Sequence, residues 1–236
     1  MFELVLVILF ITFGAMCLAG FINQKIHKYG LRATLLKTLT SFCFIVVAAI
    51  GLYHKGFHVL SIFFMVGLVS GLLGDIFLGL KHVYKEADDL FTYAGFIAFM
   101  VGHVLYITGM FLEFYSGQSP LYIILPLLIG ILIGGCVPII GKVMHLKLGR
   151  FLVISIVYGS LLFSMCLVSL SLNIMTGFKS VTLIMLFIGG VLFTISDIIL
   201  SKTYFGHNKE KVSDLVSNSL TYYIAQYLIA FSIFFL

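Results

Sequence analysis

Apolar residues run along this chain in eight stretches of membrane length, broken by short polar segments. The stretches lie near 2–22, 34–53, 58–80, 91–112, 119–140, 150–172, 181–203 and 215–236. A helix that crosses a bilayer needs about 20 mostly apolar residues, and lipid offers no water to satisfy an open strand. The pattern therefore predicts an all-α polytopic membrane protein with eight transmembrane helices in one bundle, a single domain over 1–236. Dividing 236 residues among eight spans leaves no room for a soluble domain. Any chemistry belongs inside the bundle or at its rims.

Composition agrees with this picture. Charged residues make up 10% of the chain, against roughly 25% in soluble domains, and the mean hydropathy is +1.19. The Lys and Arg residues are distributed unevenly. With eight spans, Lys25, Lys28, Arg32, Lys37, Lys81, Lys85, Lys142, Lys147, Arg150, Lys202, Lys209 and Lys211 share one side, and only Lys55 and Lys179 lie on the other. Basic loops stay in the cytoplasm, so both termini are expected on the non-cytoplasmic face. The net charge of +5 belongs to this bias and gives no ground for nucleic-acid binding. The first stretch has no basic segment before it and no small-residue cleavage site, so it is expected to remain as a span. Cys17, Cys43, Cys136 and Cys166 fall within spans without metal-ligand spacing and are expected to pack as small apolar residues.

Two carboxylates interrupt the apolar pattern. Asp75 lies in span three and Asp197 in span seven. A carboxylate at the bilayer centre costs about 2.5–3.5 kcal/mol on insertion scales, which makes the pair the leading candidate for a functional site. They stand 122 positions apart, and Gly74-Asp75-Ile76-Phe77-Leu78 parallels Ser196-Asp197-Ile198-Ile199-Leu200. That correspondence is compatible with two parallel four-helix repeats, 1–114 and 115–236. Helical spacing gives each aspartate a face: Gly67, Gly71 and Gly74 beside Asp75, and Gly190 and Phe193 beside Asp197. Other spans align Lys37 with Ser41 and Phe44, Gly95 with Phe99, His103 and Tyr106, Tyr158 with Leu162 and Met165, and Tyr222 and Tyr223 with Gln226 and Tyr227. Each has an ordinary reading too. The aspartates could lock helices together, Lys37 could snorkel to the interface, His103 could be a hydrogen-bonded core residue, and the tyrosines could pack or form an interfacial belt.

In their order along the chain, these motifs resemble the YhhN family of membrane proteins. The resemblance rests on Lys37 in LLKTLTS, Gly74-Asp75 with Leu78, and the run Phe91, Gly95, Phe99, His103, Tyr106. It extends through Tyr158 and Met165, FTISDIIL around Asp197, and YYIAQYLI near the C-terminus. It implies a lysoplasmalogenase, a polytopic hydrolase that cleaves the vinyl-ether bond of a lysophospholipid to a fatty aldehyde and glycerophospho-ethanolamine or -choline. On that reading Asp75 and Asp197 are catalytic. Lys37, His103, Tyr106, Tyr158, Tyr222, Tyr223 and Gln226 are candidates for substrate binding, and no metal or cofactor is expected.

The chemistry suits the residue types. A vinyl ether hydrolyses by proton transfer to its β-carbon, giving an oxocarbenium ion that water then attacks. One carboxylic acid to donate the proton and one carboxylate to stabilise the cation are the parts glycoside hydrolysis uses, and burial in low dielectric favours the protonated acid. Only His103 of the seven histidines lies well within a span, so a multi-histidine zinc site is not expected. Asp75 precedes Lys81 by six residues and Asp197 precedes Lys202 by five, which puts the carboxyls roughly 7–9 Å below a basic rim. A lysophospholipid with its phosphate at that rim would bring its sn-1 linkage to this depth, and Lys37 could hold the phosphate. Three alternatives remain. One is a transporter that uses the pair as a proton or cation relay. Another is a lipid-binding or structural membrane protein. The third is an intramembrane aspartyl protease, raised by Gly71-Leu72-Leu73-Gly74-Asp75 and weakened by Ser196 before Asp197 and by the lack of a Pro-Ala-Leu segment. Oligomeric state is not legible.

Overall fold

A computed structural model describes residues 2–27, 29–115, 119–206 and 211–236. Lys28 and Lys209, counted above in the basic side, lie outside the described residues. The chain folds into nine described α-helices and no strand: α1 Phe2–His27, α2 Leu31–Lys55, α3 Val59–Val83, α4 Asp88–Phe114, α5 Leu121–Gly135, α6 Val137–Val143, α7 Leu152–Met175, α8 Val181–Phe205 and α9 Val212–Ser232. Short 3₁₀ turns precede α4 and α7 and follow α9.

Six described helices (α1, α2, α3, α4, α7 and α8) are long and apolar enough to cross a bilayer. The stretch 119–140 is not one straight helix. It is α5 followed by α6, bent by 42°. The cause lies in the sequence around Cys136. Pro138 cannot donate a backbone hydrogen bond to the turn before it, and Gly134-Gly135 weaken that turn further. Cys136 sits at the break and is exposed, unlike the buried Cys17 and Cys43. The last helix, α9, is not among these six, and Asp214, Asn218, Thr221 and Gln226 lie along it.

Apolar burial between helices drives little in lipid, so close packing has to hold the bundle together. Glycines supply it. A Cβ on Gly74 would come within 2.6 Å of Phe99, and one on Gly95 within 2.6 Å of Leu78, so α3 and α4 can approach closely only without those atoms. Gly130 and Gly134 of α5 lie in the same way against Ser164 and Ser160 of α7. Neighbours follow one order in each half. In the first half α1 packs on α2, α2 on α3 and α3 on α4. In the second α5 packs on α7, α7 on α8 and α8 on α9. Across the halves, α4 meets α7 and α2 meets α9.

Candidate functional site

A cavity of about 290 Å³ opens among these helices at the end where α1 leads into α2, α6 into α7, and α8 stops. Its wall includes both aspartates, together with Lys37, Tyr158, Tyr222 and Tyr223. Lys25, Tyr29 and His82 line it towards the helix ends. Val137, Ile140, Met144, Leu162 and Phe163 give it an apolar side along α6 and α7.

Asp75 is 1% exposed and fully engaged. Lys37 places Nζ 2.9 Å from Oδ1. Ser41 Oγ and Tyr222 OH each donate to Oδ2 at 2.6 Å. Lys37 and Ser41 reach the same carboxylate because they lie four residues apart, one above the other on α2. A second layer holds the first. Gln226 Nε2 donates to Tyr222 OH at 3.0 Å, and Tyr223 OH donates to the Lys37 carbonyl at 3.2 Å and lies 3.2 Å from Ser41 Oγ. With Ser41's single proton given to Asp75, Tyr223's single proton is shared between the Lys37 carbonyl and Ser41 Oγ. Gly71 makes room for this layer, since a Cβ there would come 3.0 Å from Gln226 Nε2.

Asp197 has a different setting. It is half-buried on α8, and Tyr158 OH donates to its Oδ2. Among the described residues no lysine or arginine forms an ion pair with it. The flank is fixed through the main chain: Asn218 Nδ2 of α9 donates to the Ser196 carbonyl at 2.8 Å and to Ser196 Oγ at 3.0 Å. Rings pack on Tyr158 and along the cavity wall. The Tyr158 ring lies edge-on to Phe96 with centroids 5.2 Å apart, and Phe99, Phe193 and Tyr222 form an edge-to-face trio.

The fold thus brings Lys37, Tyr158, Tyr222 and Tyr223 to the cavity with the two aspartates. His103, Tyr106 and Gln226 lie behind its wall instead. Gln226 acts on the cavity through Tyr222. His103 is buried with its ring 5.6 Å from that of Tyr158 and 5.0 Å from that of Phe193. Tyr106 covers Gly67 and stacks edge-on with Phe64. Lys37 does not wait at the rim for an anion, because its ammonium is held by Asp75. Sequence reasoning put Ser41 on the Lys37 face but did not make it a site residue. The four-residue spacing was the available signal. Phe96 and the α6 wall carried no signal. Among the described residues no group of three His, Cys, Asp or Glu is placed to hold a metal ion.

A model of the YhhN family matches residues 32–233, which takes in every residue of the aspartate site and its hydrogen-bonding layer. No curated protein and no solved structure matches the chain.

Proposed function

The chain belongs to the YhhN family, and we propose that it is a lysoplasmalogenase-type ether hydrolase acting on the vinyl-ether bond of a lysophospholipid. The observation that carries this reading is the unequal setting of two carboxyls on one cavity. Asp75 has a cation and two hydroxyl donors. Asp197 has one neutral donor, Tyr158, whose ring packs on Phe96. A carboxyl fixed in an ion pair suits the duty of counter-charge, and one bound by a single hydroxyl suits that of proton donor.

The roles follow. Asp197 gives its proton to the β-carbon of the vinyl ether, and the C–O bond gains the positive charge of an oxocarbenium ion. Asp75 stabilises that cation across the cavity. Water adds to the cationic carbon and returns a proton to Asp197. The resulting hemiacetal breaks to the fatty aldehyde and the glycerol hydroxyl. Atoms and charge balance without a redox partner. Lys37, paired with Asp75, is a positioning residue in this scheme, while Lys25 and His82, nearer the helix ends, suit the phosphate.

The same ion pair weighs against a protease dyad, in which two carboxyls share one proton and have no counter-ion between them. In the membrane we propose eight crossings, with α5 and α6 as one bent span, both termini on the non-cytoplasmic side of a bacterial cytoplasmic membrane, and two parallel repeats. The matching order of helix neighbours in the two halves supports that arrangement. The deciding experiment gives the purified protein alkenyl and alkyl lysolipids side by side. Aldehyde release from the alkenyl lipid alone is expected. Ion or proton flux in liposomes with no lipid turnover would replace this reading with the transporter.

A further inference from the structure

The bend between α5 and α6 lies beside the cavity. Up to Gly134, α5 lies tightly on α7, backbone close to backbone at Gly130–Ser164 and Gly134–Ser160. Beyond Cys136 the chain turns by 42°. From there α6 packs on α7 and the end of α5 and has no extended contact with α8. Yet α6 and α8 both line the cavity, through Ile140 and Met144 on one side and Asp197 and Ile198 on the other. A backbone bond from Lys147 N–H to the Phe205 carbonyl, 2.7 Å long, bridges the two sides at the helix ends. The frame is therefore complete: α6 and α8 as jambs, the Lys147–Phe205 bond as a crossbar, and Leu162 and Phe163 of α7 at the back.

Two of the residues that line the cavity here are also well exposed. Ile140 is 37% exposed and Ile198 is 44% exposed. On the eight-span arrangement proposed above, α6 and α8 both run through the bilayer, so an opening between them gives on to hydrocarbon. The chemistry along the cavity runs from Lys25 and His82 at the helix ends, through the two carboxyls, to this apolar side. That order matches a single-chain amphiphile: an anionic phosphate, a short polar linkage and one hydrocarbon tail.

We propose that the α6–α8 opening is a lateral portal and tail-binding site, through which a single-chain phospholipid enters from the bilayer and in which its hydrocarbon chain stays during binding. This deepens the hydrolase reading and rests on it for the lipid class, but not for the test. Ile198, next to Asp197 in sequence and on the portal edge, is the position that sets how much chain passes. A second chain would have to pass the same frame, so the site selects lyso over two-chain lipids.

The test uses the full-length protein in vesicles with an alkyl-ether lysophospholipid that carries a diazirine near its methyl end. This probe cannot be turned over. Adducts are expected on α6, α7 and α8 around Ile140, Phe163 and Ile198, and excess unlabelled alkyl lysolipid should compete them away. Ile198→Trp fills the opening at an exposed position that folding tolerates, and should weaken the competed labelling by about tenfold in apparent affinity, equivalent to ~1.4 kcal/mol. Val101→Trp, lipid-facing on α4 and away from the cavity, should leave labelling unchanged. Adducts confined to outward faces such as α1, or window adducts that do not compete, would overturn the portal, as would an Ile198→Trp protein that labels like wild type. Competed labelling in the portal with no aldehyde release would keep the portal and sink the hydrolase.

Discussion

In the proposed two-repeat arrangement Asp75 and Asp197 occupy corresponding places, and their surroundings differ. Around Asp75, α2 supplies Lys37 and Ser41, and α9 supplies Tyr222. Around Asp197, α7 supplies Tyr158, and α4 supplies no polar group but Phe96 and Phe99, which line the same cavity. The equivalent pairs of helices meet in both halves, α2 with α9 and α7 with α4. The order of helix neighbours is therefore alike in the two halves, and the side chains differ. One carboxyl is tied into an ion pair with a second layer of hydrogen bonds. The other keeps a single tyrosine and an open side. Two identical carboxyls could not divide acid and counter-charge duties; environments that differ by one cation can.

The largest effect expected is on turnover, at Asp197. Asn keeps the shape but has no acidic proton, and loss of a general acid costs about 10²–10⁴ in rate. Asp197→Asn should therefore fall by that much in aldehyde release. Its thermal stability in detergent should stay near wild type, because no cation is left unpaired. An Asp197→Asn protein with near-native release would remove Asp197 from the chemistry and leave the comparison purely structural.

Asp75→Asn should also lose turnover, but it should lose stability as well. On sequence grounds alone, either Asn would relieve a buried charge and leave the fold intact. The Lys37 ion pair changes that expectation for Asp75. Removing one partner of a buried pair leaves an uncompensated charge and costs about 3–5 kcal/mol. Lys37 is largely buried, at 16% side-chain exposure, so a cost towards the lower end is expected. Adding Lys37→Met to Asp75→Asn should restore most of the thermal stability and none of the activity. If the single variant melts like wild type, the pair is not what holds α2 against α3.

Some of this is legible without the fold, and the reason differs from residue to residue. The cost of a carboxylate in hydrocarbon singles out Asp75 and Asp197 without any knowledge of their neighbours. Their depth below a basic rim follows from helical rise. Contacts between helices do not follow, because periodicity gives a face but not the partner that the face meets. Lys37 is the clearest case. Its spacing puts it on a face with Ser41, yet only the packing of α2 on α3 turns that face to Asp75 rather than to a phosphate. His103 and Tyr106 share a helical stripe with Phe99, and the stripe is real, but only Phe99 reaches the cavity. The break at Cys136 is hidden because 119–140 is apolar throughout. Hydropathy does not register a bend, although Gly134, Gly135 and Pro138 encode one.

The smallest effect separates the two tyrosines that touch the carboxyls. Tyr158→Phe removes the one hydrogen bond to Asp197, and Tyr222→Phe removes one of three interactions at Asp75. A hydrogen bond to a charged group is worth about 1.5–3 kcal/mol and one between neutral groups about 0.5–1.5. If Asp197 is the acid, its bond with Tyr158 is of the neutral kind in the resting state and strengthens once the proton has left for the substrate. Losing it then raises the barrier and lowers kcat, with KM little changed. Tyr222→Phe acts on an anion that Lys37 and Ser41 still hold, but it also strands Gln226 Nε2, which donates to that hydroxyl. Its effect should appear mainly as lost thermal stability, and Gln226→Leu in the same protein should recover part of it. Tyr158→Phe should show the opposite pattern, slower turnover at nearly unchanged stability. Measured together, kcat and melting temperature for the two variants cross over if Asp197 is the acid and Asp75 the fixed counter-charge. If both variants lose kcat equally and neither loses stability, the two carboxyls are equivalent and their asymmetry has no functional weight.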